Sequence, residues 1–139
     1  MLKLEVVTPQ KKVLEVEAEW VNIPGIEGEM GILPQHISIV TTLETGLVTY
    51  MGLNGKQSLG VHWGYVQVDG VRVIVLAELA EDSADIDIER AKIAESNAKE
   101  KLSQINLSSK DWDSEKKRLD KYEFKLKRSI VRQRLASLK

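Results

Sequence analysis

Ile86-Asp87-Ile88-Glu89-Arg90-Ala91 marks the point at which this chain of 139 residues changes character. Up to about residue 84, short apolar and polar alternations are separated by glycine turns; beyond it neither glycine nor proline occurs. The motif lies where a helix should begin. Asp87 can accept a hydrogen bond from a first-turn N–H as the N-cap, and Glu89 complements the positive end of the helix dipole, so an anion could also be held there. The expected organisation is mainly β plus α. Residues 1–84 form an antiparallel β sandwich or flattened barrel, and residues 85–139 form a two-helix hairpin.

Before the motif, nine strand candidates lie between Leu2 and Leu76, among them Leu2 to Val7, Gln57 to Val61, Tyr65 to Val68 and Arg72 to Leu76. Such short, evenly spaced strands belong to an antiparallel sandwich or barrel. Asn54-Gly55 and Asp69-Gly70 fit two-residue hairpin turns with both central residues at positive φ. Gly28-Glu29-Met30-Gly31-Ile32-Leu33-Pro34-Gln35-His36 departs from strict alternation. Its glycines permit a sharp bend and Pro34 ends the strand, so a shaped loop presenting Glu29 and His36 is expected there. A Walker-type phosphate loop is excluded, because the Gly-Lys-Ser/Thr ending and the following helix are both missing.

After the motif, Ala91, Ala94, Ala98, Leu102 and Ile105 share one face of a helix expected over 88–105. An alanine stripe lets a second helix approach closely but buries little apolar surface, so the hairpin should be held weakly. Residues 106–110 read as the turn, with Ser108 and Asp111 at capping-box spacing. A second helix is expected over 111–138, its stripe made by Leu119, Tyr122, Leu126 and Ile130, with Val131, Leu135 and Leu138 alongside. Arg128 and Arg132 lie one turn apart and share a face, a spacing at which two guanidiniums can grip a polyphosphate.

The charge is uneven. Residues 1–84 carry 5 Lys/Arg against 11 Asp/Glu, a net −6, whereas residues 110–139 carry 11 against 5, a net +6. The basic last helix folds back onto its acidic body, reaches for an acidic partner, or is simply a solvated face. There is no cysteine, hence no disulfide or thiolate metal site, and Met1 leads into a strand pattern rather than an apolar leader; a reducing, cytosol-like compartment is the expectation. No apolar run approaches the roughly 18 to 20 residues needed to cross a bilayer, and membrane association should be indirect. The sequon Asn106-Leu107-Ser108 then has no role. His36 and His62 lie in different segments without a carboxylate cluster, so each reads as a hydrogen-bonded structural residue rather than a metal ligand. No catalytic constellation stands out.

The segment Gly28 to His36, followed by Leu43-Glu44-Thr45-Gly46, resembles the Gly-Glu-x-Gly-Ile-x-Pro-x-His signature of the epsilon subunit of the F-type ATP synthase of bacteria and chloroplasts. The Ile-Asp-x-x-Arg-Ala motif and the basic hairpin agree with that family, and the likeness spans essentially the whole chain. It implies a flattened β barrel of about ten strands and a non-catalytic rotor subunit that binds the gamma subunit and the ring of c subunits and couples proton flow to ATP synthesis. It also implies a peripheral location on the cytoplasmic face of the bacterial inner membrane, or the stromal side of the thylakoid. Glu29 and His36 would face the c ring. The hairpin would alternate between a folded state and an extended one that reaches the alpha and beta subunits and inhibits ATP hydrolysis. In one branch of the family the folded hairpin binds ATP as a regulatory ligand, no cofactor being required. The matching positions here are Glu81, Ile86, Asp87, Arg90, Ala91, Arg128 and Arg132, while one further arginine of that pattern falls on Asn97. His62-Trp63-Gly64 is a second departure, replacing a small residue and a Gly-Gly pair.

Two other readings compete. In one, a β adaptor binds nucleic acid through its basic helix; its sparse aromatic residues and acidic body argue against this. In the other, a small hydrolase uses Glu29 and His36.

Overall fold

The computed structural model describes residues 1–105 and 111–138, His36 and Ile37 by their backbone alone. Eight strands come first: β1 (Leu2–Val7), β2 (Lys12–Ala18), β3 (Val21–Gly25), β4 (Gly28–Ile32), β5 (His36–Leu43), β6 (Gly46–Gly52), β7 (Gly55–Gly70) and β8 (Arg72–Glu81). They form one sheet in the order β2-β1-β8-β7-β5-β3-β4, with β6 pairing both β3 and β7. Neighbours are antiparallel except β1 and β8, which run parallel with Leu4 beside Val73. The period-2 alternation sets what is buried. Leu2, Leu4 and Val6 of β1, Val73 and Val75 of β8, and Val66 and Val68 of β7 face one core together with Ile23, Ile32, Leu43 and Val48.

The segments Gln57 to Val61 and Tyr65 to Val68, expected as two strands, are halves of one strand of 16 residues, so the nine candidates become eight strands among the described residues, where the resemblance implied about ten. The first half pairs β6 up to Gly46↔Val61, and the second pairs β5 from Leu43↔Gly64. The chain therefore makes one long hairpin, kinked where His62-Trp63 faces Glu44-Thr45. Trp63 sits at a φ of 55° and Gly64 at 152°. A non-glycine residue in that region is uncommon for so bulky a side chain. The turns also differ from expectation. Leu53 and Asn54 form the loop between the paired Gly52 and Gly55, with only Gly55 at positive φ, while Gly70-Val71 joins β7 to β8 with only Gly70 at positive φ. The Val71 N–H donates to the Asp69 carbonyl, so Gly70 is the centre of a tight turn whose positive φ glycine adopts without steric cost.

After a 3₁₀ turn (Ser83–Asp85) come α1 (Ile88–Ser103) and α2 (Trp112–Ser137). Asp87 caps α1 as expected, its Oδ1 accepting from the Arg90 N–H at 3.2 Å. The capping-box pairing of Ser108 with Asp111 and the turn at 106–110 lie outside the described residues. Of the alanine seam, Ala91 and Ala98 are buried. On α2 the buried positions are Ser129, Val131 and Leu135, whereas Ile130 and Leu138 are exposed. The expected stripe thus turns by one residue near its end, because that part of α2 packs on the strands as well as on α1. Gly60 of β7 admits this contact: a Cβ there would lie 3.1 Å from Leu135 Cδ2 and 3.7 Å from Val131 Cγ1.

At the kink, a Cβ on Gly64 would lie 1.9 Å from the Leu76 carbonyl oxygen of the neighbouring strand. Backbone cannot yield as a flexible side chain can. Gly64→Ala should therefore destabilise the protein by about 3 kcal/mol or more, read as a lowered Tm in thermal unfolding followed by circular dichroism.

Candidate functional site

A cleft of about 770 Å³ lies between the end of β8, the 3₁₀ turn and the facing sides of α1 and α2. All seven residues expected to gather, Glu81, Ile86, Asp87, Arg90, Ala91, Arg128 and Arg132, line it. Asn97 lines it too, with Tyr122, which was read only as part of the apolar stripe, and with Lys101 and Lys125, which sequence reasoning did not single out. Their spacing carried the signal. Lys101 is one turn beyond Asn97 on α1, and Tyr122, Lys125 and Arg128 recur every third residue on α2. Close passage of the helices at Ala91, Ala94 and Ala98 brings these rows face to face.

The electrostatics centre on Glu81. Its Oε1 accepts from Arg132 Nε at 2.8 Å and from His62 Nε2 at 2.7 Å. Burial acts to raise the Glu81 pKa, but hydrogen bonds and charge from His62 and Arg132 outweigh it and hold the carboxyl at about 2. With an ionised acceptor in front of it, Nε2 of His62 carries the donated proton. His62 is only 2% exposed, so its reading as a hydrogen-bonded structural residue holds, and its Nδ1 is buried without a partner among the described residues.

Arg128 differs from Arg132. Its Nε is buried and without a partner among the described residues, and its guanidinium lies 5.6 Å from the Phe124 ring centroid. Burial, then the nearby Arg132, pull its pKa down, while Glu81 opposes this. A guanidinium in that condition gains most from an incoming anion. Glu29 does not join the cleft: it is exposed on β4, where its Oε2 accepts from Asn22 Nδ2 at 3.3 Å. His36 opens β5, and its side chain lies outside the described residues.

Fold and cleft together define a class: a small curled β body that carries a helical hairpin folded over an ionic cleft. Residues 1–83 match the family described as ATP synthase, Delta/Epsilon chain, beta-sandwich domain, and the chain belongs to that family. It is 38% identical over 136 residues to the ATP synthase epsilon chain of Geotalea uraniireducens, covering 98% of this chain and 94% of the relative. The epsilon chain of Carboxydothermus hydrogenoformans is 41% identical over 101 residues, covering 73% of this chain and 75% of the relative. Among solved structures, a chain of the Euglena gracilis mitochondrial ATP synthase, in a structure of OSCP, F1 and c-ring in rotational state 1, has the same fold. Its TM-score is 0.76 at 22% identity, over 99% of this chain and 81% of that one. Epsilon chains are non-catalytic stalk subunits, and no helix among the described residues is long and apolar enough to cross a membrane.

Because the folded-state pKa of Glu81 lies below the usual carboxylate value of 4.5, its stabilisation is complete above about pH 4.5 and disappears as the pH falls through about 2. Thermal unfolding of wild type and Glu81→Gln across this range should show a Tm gap that is full at neutral pH and closed near pH 2.

Proposed function

We propose that the chain is a central-stalk subunit of an F-type ATP synthase. It transmits rotation of the c ring to the catalytic head through the gamma subunit, and it restrains ATP hydrolysis when its hairpin extends toward the alpha and beta subunits. Its place is the membrane face that carries the catalytic head, which is the cytoplasmic face in bacteria. The Gly28 to His36 segment, with Glu29 and His36, is offered to the c ring. An exposed apolar face on the outside of the sheet suits the gamma subunit: Tyr65 is paired to Leu76, the Trp63 ring lies 6.0 Å from that of Tyr65 at a tilt of 58°, and Val40 lies on the adjoining strand.

ATP is the ligand of the folded hairpin in this reading. The observation that carries it is the convergence of all seven motif residues, distant in sequence, on one cleft between hairpin and strands. The alanine seam leaves the folded form only modestly favoured, so a ligand that binds it alone shifts the balance by its own binding energy. Asn97 supplies an amide where a cation would have met a phosphate, and Lys101 and Lys125 bring positive charge to the same cleft.

Isothermal titration calorimetry with ATP tests the nucleotide reading. Arg128→Gln should weaken ATP binding by about tenfold or more, as expected for a charge-assisted contact. Absence of heat with wild type, together with equal protease cleavage of the hairpin with and without ATP, would remove it.

A further inference from the structure

Glu81 and Arg132 are matched to ligand-binding positions by resemblance, yet in the folded chain they are occupied with each other and with His62. The geometry points to a lock: His62 of β7, Glu81 of β8 and Arg132 of α2 hold the hairpin shut by themselves, and Arg132 is thereby a positioning residue rather than a ligand group. The inference rests on the reading that the hairpin can leave the strands, and it needs no nucleotide.

The argument begins with what joins hairpin to body. α2 rests on β6 and β7, and its buried apolar side chains there are Val131 and Leu135, packed over Gly60. Two ion pairs cross the seam among the described residues. Lys127 to Glu44 is 3.8 Å long between side chains 56% and 39% exposed, and such a pair contributes little. Arg132 to Glu81 is 2.8 Å long between side chains 28% and 16% exposed. A short charge-assisted bond with limited access to water is the stronger of the two.

The third member makes it a lock rather than a lone pair. His62 Nε2 and Arg132 Nε reach the same oxygen of Glu81 from opposite elements, the kinked strand on one side and the helix on the other. His62 is buried and its strand is fixed at the kink, so it holds the carboxylate in place whether or not Arg132 is there. The ordering cost of the carboxylate is met in the body, and the helix closes onto a preorganised acceptor. Arg128, whose Nε has no partner among the described residues, remains able to receive an anion.

The chain has no cysteine, so Val131→Cys places a single thiol in the seam with little change of volume. Its rate of labelling by a thiol reagent, in the full chain without nucleotide, reports how often the hairpin opens. Glu81→Gln and Arg132→Gln should each raise that rate by about tenfold, and the double variant should exceed the larger single effect by less than about twofold. His62→Phe, which cannot donate, should raise it as well, whereas Lys92→Gln on the exposed side of α1 should leave it unchanged. Arg132→Gln alters only the half-buried helix and keeps the test valid should His62→Phe disturb the strands. Unchanged rates in Glu81→Gln and Arg132→Gln, or additive effects, overturn the lock while leaving hairpin release standing if Leu135→Ala still speeds labelling. A seam that stays closed in Leu135→Ala too overturns both.

Discussion

The Glu81 carboxylate is the constraint on which the arrangement turns. It ends β8, is met by His62 from β7, and is met again by Arg132 from a helix 51 residues further along the chain. Each of these groups would be costly to bury alone, and together they satisfy one another at a point where strands and helices meet. Without that meeting α2 keeps its packing on β6 and β7, where Val131 and Leu135 lie over Gly60, and the exposed Lys127–Glu44 pair.

The β body is made for this purpose by one irregularity. A regular β7 would carry the ladder straight past the helix; the kink at His62-Trp63-Gly64 instead sends one half of the strand to pair with β6 and the other with β5. It also separates two neighbouring side chains. His62 goes inward to Glu81, while Trp63 goes outward to lie against Tyr65, ring tilted to ring, at the exposed apolar face. The proposed partner surface and the seam under the hairpin are thus made by consecutive residues of one strained turn, with Gly64 lying too close to Leu76 for any side chain.

The cleft follows from the same economy. Small residues on α1 let the helices approach, and the polar side chains flanking the seam then face each other across a space open to solvent. A hairpin with a leucine seam would be held harder and would leave less room. The small-residue seam, the short ionic contact and the cleft occur together where the hairpin meets the strands.

Much of this was legible in the amino-acid sequence, for local reasons. Alternation identified β1 and β8 as strands, the loss of glycine and proline after residue 84 announced the hairpin, and Asp87 announced its cap; the residues matched by resemblance to a nucleotide site line one cleft. The role of Glu29 and His36 rests on resemblance alone. What was not legible depended on pairing between distant segments. Two strand candidates proved to be one, because a glycine pair spacing cannot reveal that β5 and β6 share a single partner. Ile130 proved exposed and Ser129 buried, because helical periodicity says nothing of a second surface packing from the side. The contact of His62 with Glu81 and Arg132 spans separations that no spacing rule covers. Sequence determined the elements and their faces, since these follow from neighbours within a few residues; only the tertiary structure decided which charge meets which, since that is set by where the sheet bends and where the helix comes to rest.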